Sequence, residues 1–223
     1  MVPGFHCQQE APTSLPIILA LAAVVAAAVA GAVLAREKDP QRRAGALVKI
    51  GAALMTVFTV AAVAFISGDA LDQPGGMAGL MAVLSWFAPM VVLAALAWFR
   101  PAGASLLLVA LAALLVAVCV WFALDPAAAR SIQDSNGPVV AVGVVALAFP
   151  ASVLGLKRTG AAGWLLLVLG ALPLVITLLA RSGPAASLAA AGVVPVISGF
   201  AYLLAARLAR PGSEPRKARS VPA

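Results

Sequence analysis

Charge is scarce in this chain: 15 Lys and Arg and 8 Asp and Glu among 223 residues. A soluble domain spreads roughly 25% charged residues over its exterior, and a share of 10% falls far short of that. The sequence also has one histidine, two cysteines and one tyrosine. The few charges cluster in short gaps between apolar runs, which leaves no segment for a separate soluble domain beyond a 15-residue tail. A net charge of +7 and a pI near 10.5 do not signal nucleic acid, because that reading needs a basic face with polar or aromatic partners on a soluble fold. The expected partner of the basic residues is instead the anionic headgroups of a lipid bilayer.

What is present in abundance is apolar side chain, 63% of the residues, with a mean hydropathy of +1.07. About 20 apolar residues in a helix cross the roughly 30 Å hydrocarbon layer. Seven stretches meet that length: 15–35, 44–67, 77–99, 102–124, 138–156, 161–180 and 188–208. Residues 77–124 form one apolar run broken only at Arg100-Pro101. Proline pushes the residue before it out of the α region, so the run reads as two spans joined by a tight turn. The expected fold is an all-α integral membrane protein, a seven-transmembrane-helix bundle with residues 1–14 as a short outer tail. Residues 209–223 form a basic cytoplasmic tail, expected to be disordered.

Orientation follows from the positive-inside rule. With seven spans, Arg36, Lys38, Arg42, Arg43, Lys49, Arg100, Lys157, Arg158, Arg207, Arg210, Arg216, Lys217 and Arg219 share the inner side. Only Arg130 and Arg181 fall outside, together with Glu10, Asp69, Asp72, Asp125 and Asp134. Residues 1–14 contain no Lys or Arg, whereas basic residues follow the first apolar run directly. That order predicts a retained, reverse-oriented anchor with its N-terminus outside rather than a cleaved signal. Trp98 and Trp164 fall near the inner boundary and Trp121 near the outer one, as interfacial tryptophans do. The alanine-, valine- and arginine-rich composition is similar to that of small multi-pass proteins from GC-rich bacteria, so the expected location is a bacterial plasma membrane.

Three inner turns look alike: Arg43-Ala-Gly45, Arg100-Pro-Ala-Gly103 and Arg158-Thr-Gly160, with arginines 57 and 58 residues apart. They fit either an ancestral hairpin used three times or the ordinary outcome of topology rules. Small residues recur at helix-contact spacings: Ala23, Ala27, Gly31 and Ala35 in the first span, Gly163 with Gly170 in the sixth, and Gly192 with Gly199 in the seventh. Such positions let helix backbones approach closely in lipid, and intramolecular packing is the expected use.

The residues restrict the chemistry further. The seven spans contain no Asp, Glu, His, Asn or Gln, and the only charged group well inside them is Lys49. Ion-coupled transport generally displays such groups at membrane depth. Haem usually takes histidine ligands, and the sole histidine is His6 in the outer tail. Ser85, Ser105, Ser152 and Ser198 supply hydroxyls without a base, so nucleophilic catalysis is not expected. Lys49 reads as a snorkelling side chain. His6 and Cys7 are too few for a metal site, so no catalytic residue, metal or cofactor is expected. Cys119 reads as a small buried side chain, with a Cys7–Cys119 disulfide topologically open on the oxidising side.

Pro89, Pro150, Pro173 and Pro195 lie inside spans, where each frees a carbonyl one turn earlier. Kinked helices open cavities, and Trp86 is too deep for an interface anchor. Ser85, Trp86, Pro89 and Met90 are therefore the candidate pocket wall. The expected function is that of a non-enzymatic accessory or structural membrane subunit with a possible membrane protein partner. The alternative is a permease or binding subunit for a small apolar or lipid-like molecule.

Overall fold

The computed structural model describes residues 28, 31–32, 36, 39–72, 76–125, 127–128, 131–132, 139–179 and 185–209. Among them there are six helices and no strand: α1 (Pro40–Asp72), α2 (Gly76–Phe99), α3 (Pro101–Leu124), α4 (Val139–Gly155), α5 (Thr159–Leu179) and α6 (Ala185–Leu208). They coincide with the second to seventh apolar stretches. The first stretch, 15–35, lies outside the described residues apart from Ala28, Gly31 and Ala32, which are helical. Residues 1–14 and 210–223 lie outside them as well.

The helix ends have local causes. Asp39 precedes Pro40 at the start of α1, and its carboxylate accepts a hydrogen bond from the Gln41 N–H at 3.0 Å. This is an N-cap with proline at the first helical position, which needs no N–H there. The helix therefore begins four residues before the apolar stretch and continues beyond it to Asp72. Hydropathy marks the part of a helix that suits lipid, whereas hydrogen bonding continues through its polar ends. At Arg100-Pro101 the chain turns sharply: Arg100 caps α2 through its N–H to the Leu96 carbonyl at 2.7 Å and leads into α3 with Pro101 in the first turn.

Pro40–Ala64 and Pro101–Phe122 are long and apolar enough to cross a membrane. Leu84–Phe99, Val139–Gly155, Thr159–Val175 and Gly192–Leu208 are shorter apolar helical segments.

The helices are arranged as five around one. The central helix is α4, which touches each of the other five, while α1, α2, α3, α5 and α6 contact one another in that cyclic order. Its buried residues include Val140, Val144, Val145, Leu147, Ala148, Pro150, Ala151, Ser152, Leu154 and Gly155, which cover more than half of its circumference, and the rest of the helix is half-buried. A helix with no exposed residue from 139 to 155 needs neighbours on every side, and the other five helices supply them. Met55 and Phe58 of α1, Leu108 of α3, and Leu165, Leu166 and Leu169 of α5 close the core around it.

The strongest pairing is between α5 and α6, which run antiparallel. A Cβ added at Gly163 would lie 3.1 Å from the Gly199 carbonyl oxygen, and one added at Gly170 would lie 2.7 Å from that of Gly192. Each glycine also receives a side chain from the other helix: Leu203 enters at Gly163, Val196 at Gly170, Leu174 at Gly192 and Leu167 at Gly199. The four small residues singled out in the sixth and seventh stretches thus serve one intramolecular seam. In the first stretch only Gly31 of the small-residue stripe is described, and a Cβ there would meet nothing within 4 Å.

Candidate functional site

The candidate pocket wall divides between inside and outside. On α2, Met90 is buried in the bundle, whereas Ser85 and Pro89 are exposed and Trp86 is partly exposed. The Trp86 ring meets Phe87 edge-to-face, with centroids 6.4 Å apart. Positions 85 and 89 are one turn apart on the outer side of the helix, and position 90 is turned about 100° from 89 by the 3.6-residue period. The four side chains therefore do not share one inward face. The other three interior prolines, Pro150, Pro173 and Pro195, are fully buried.

The interior does hold one polar arrangement. Tyr202 of α6, the only tyrosine in the chain, is 0% exposed, and its hydroxyl donates to the Ser152 carbonyl of α4 at 2.9 Å. That carbonyl lies in the last turn of α4, where intrahelical partners run out: the Leu156 N–H goes to Val153 and the Lys157 and Arg158 N–H groups go to Leu154. Tyrosine thus caps one helix from another. The ring fits because glycines flank it. A Cβ at Gly155 would lie 2.5 Å from the ring, and Gly51 of α1 faces the opposite edge, with a Cβ there 3.4 Å away. The Ser152 hydroxyl bonds back to the Phe149 carbonyl at 2.8 Å.

Two other buried hydroxyls, those of Thr59 and Ser198, make no hydrogen bond among the described residues. None of these hydroxyls is hydrogen-bonded to another side chain among the described residues. Tyr202 is not among the residues that the sequence singles out by motif or spacing, although its place carries a signal: a tyrosine well inside an apolar helix must find a partner for its hydroxyl.

The charged side chains converge on one end of the bundle. Lys157, in the turn between α4 and α5, donates to the Trp98 carbonyl of α2 and lies 4.8 Å from the centre of its ring. Arg158 reaches the Ser105 hydroxyl of α3 at 3.4 Å. On the other side of the bundle, Ala44 and Leu47 of α1 pack on Ala205 of α6, which brings Arg42, Arg43 and Arg207 to the same end. Arg42 has Asp39 at 3.8 Å. Lys49 is exposed in the third turn of α1.

Asp125 lies at the opposite end, after α3, and accepts the N–H groups of Ala127 and Ala128 at 3.2 and 3.0 Å. Of the outer rim expected from Asp69, Asp72, Asp125, Asp134, Arg130 and Arg181, only the Asp125 side chain is described. Cys119 is buried against Val140 and Val144, and Cys7 lies outside the described residues. Among the described residues there is no group of three or more His, Cys, Asp or Glu side chains able to hold a metal.

On the outer face of α6 there is a shallow groove of about 320 Å³ lined by Phe200, Ala201, Leu203, Leu204 and Arg207. It is apolar along its length and cationic where it meets the basic end. Compared with known protein families, curated proteins and solved structures, the chain matches none.

Proposed function

We propose that the chain is a multi-pass protein of the plasma membrane, with seven spans, its N-terminus outside and its C-terminus in the cytoplasm. Within it the chain acts as a non-enzymatic accessory or structural subunit. The observation that carries this reading is where the apolar side chains are. The middle of the bundle is filled by α4, yet Val57, Val60, Val92, Leu106, Leu114 and Phe200 all project outward. An outward apolar surface of this extent suits lipid or a partner helix.

Tryptophan supports the same placement. Trp98 and Trp164 are exposed near the basic end and Trp121 near the other. Twenty residues separate Pro101 from Trp121 in α3, about 30 Å of helix, which matches the hydrocarbon thickness. The basic end then faces the cytoplasm, and a first span over 15–35 carries the N-terminus to the outside.

The subunit role rests on the interior, whose described buried polar side chains are those of Thr59, Ser152, Ser198 and Tyr202, hydroxyls with no charge among them. Purification of a tagged chain from its native membrane in mild detergent, followed by mass spectrometry, tests it: a stoichiometric partner protein is the expected result. Elution of the chain without one counts against it.

Membrane placement has a separate test in Leu114, which is 61% exposed at the middle of α3. A water-facing Leu114→Arg change alters stability by about 0.5 kcal/mol or less. At the bilayer centre it costs about 2.5–3.5 kcal/mol and reduces insertion. Unchanged insertion and stability would contradict the membrane reading.

The groove on α6 favours a second reading, a permease or binding subunit for a small lipid-like molecule. Its apolar wall ends at Arg207, an arrangement suited to an acyl chain with an anionic head. Saturable binding of a fatty acid to the purified chain, weakened by Arg207→Gln, is the result that reading requires.

A further inference from the structure

At one corner of the basic end, the turn between α2 and α3 and the turn between α4 and α5 lie side by side. Lys157 is fixed to the Trp98 carbonyl and over the Trp98 ring, and Arg158 is fixed to Ser105. Arg100 follows Trp98 by two residues, and among the described residues its guanidinium has no partner. Lys157 and Arg158 are thereby held against the turn that carries Arg100, and no described acid stands with them: Asp39 pairs with Arg42 on α1, and Asp125 lies at the far end of α3. Like charges gathered at a surface repel unless an anion joins them.

The backbone at this corner presents donors as well. The first intrahelical bonds of α3 and α5 are made by Ala104 to Arg100 and by Ala162 to Arg158, which leaves the N–H groups of Ala102, Gly103, Gly160 and Ala161 without helical acceptors. A Cβ at Gly103 or Gly160 would meet nothing within 4 Å, so packing does not require glycine at either place. Cations with free helix-terminal N–H groups recognise tetrahedral oxyanions. Beside the corner, Phe99 and Leu106 are exposed by 78% and 75%, an apolar flank that an inorganic ion would not use.

We propose that this corner binds a phosphate group, that of an anionic phospholipid whose chains lie along α2 and α3. The inference rests on the membrane reading and adds a particular site to it. Arg100 and Arg158 contact the phosphate oxygens. Lys157 supplies a third positive charge, held in place by the Trp98 carbonyl and ring.

The full chain is first mixed with phosphatidylglycerol or phosphatidylcholine vesicles and floated on a density gradient. Failure to float with either removes the membrane reading and this inference with it. Floated protein in mild detergent is then titrated with each lipid and observed by native mass spectrometry. Phosphatidylglycerol is expected to bind at least tenfold more tightly than phosphatidylcholine. Arg100→Gln/Lys157→Gln/Arg158→Gln is expected to abolish that preference, whereas Arg42→Gln/Arg43→Gln/Lys49→Gln, with the same change in charge, changes it less than twofold.

Equal loss in both variants, or no preference in the unaltered chain, overturns the site while leaving the membrane reading intact. Full displacement of the lipid by millimolar inorganic phosphate, with the same dependence on residues, assigns the corner to free phosphate and overturns the lipid assignment. Lys157→Arg/Arg158→Lys keeps the charges and is expected to keep the preference, which distinguishes loss of the site from loss of the fold.

Discussion

The Tyr202 ring occupies a slot made by the absence of two side chains, at Gly51 and Gly155, and its hydroxyl holds a carbonyl that the end of α4 leaves over. Space and hydrogen bonding are separable there. Tyr202→Phe keeps the ring and leaves the Ser152 carbonyl short of a donor, a loss of about 1 kcal/mol. Gly155→Ala keeps the hydroxyl but puts a methyl group 2.5 Å from the ring, an overpacking that costs about 1–3 kcal/mol. Unfolding of the purified protein in mixed micelles, followed by circular dichroism, is expected to show both losses. Gly45→Ala, where a Cβ meets nothing, is expected to be neutral or to stabilise by up to about 1 kcal/mol. The tyrosine was visible in the sequence, but the glycines that admit it were not. Gly51 and Gly155 are 104 positions apart and belong to no shared spacing, so only the folded chain reveals them as the two walls of one slot.

Helix α5 and helix α6 meet through backbone, and that fixes how substitutions along the seam combine. A methyl group at Gly170 or at Gly192 strikes the other helix's main chain, which has no rotamer to change, so the helices must separate. Gly170→Ala and Gly192→Ala are each expected to destabilise by about 1–3 kcal/mol, and the double variant by clearly less than the sum, because one separation relieves both clashes. Strict additivity in the same unfolding measurement would mean that the two positions do not share a contact. This seam was readable beforehand, since pairs of glycines seven residues apart in adjacent stretches mark a face on each helix. The positions of the helices were readable too, because apolar length and the Arg100-Pro101 break depend only on local sequence. The early start of α1 was missed for the converse reason: Asp39-Pro40 is a capping signal, and hydropathy does not register caps.

The described bundle has two unlike ends and a uniform side. Among the described residues, Arg42, Arg43, Arg100, Lys157, Arg158 and Arg207 gather at one end, where contacts join turns far apart in sequence. Under the proposed topology Cys7 lies outside. An impermeant maleimide added to intact cells is expected to label Cys7 and to leave Cys119 unlabelled, since Cys119 is only 3% exposed, while a C-terminal tag stays protected from external protease. Absence of Cys7 labelling after prior reduction would reverse the assignment. The order of helices around the bundle was not legible, nor was the fate of Ser85, Trp86, Pro89 and Met90. Depth along a helix follows from counting residues, but direction around it requires contrast between faces, and these helices are apolar on all sides. The placement of α4 at the centre also bears on how the protein is made. Synthesis proceeds from α1 to α6, so α4 leaves the ribosome when only three of its five neighbours exist. Until the last helix arrives, the glycines at 51 and 155 have no ring between them. A chain ending before residue 202 lacks the ring that sits between these two glycines and the hydroxyl that holds the Ser152 carbonyl.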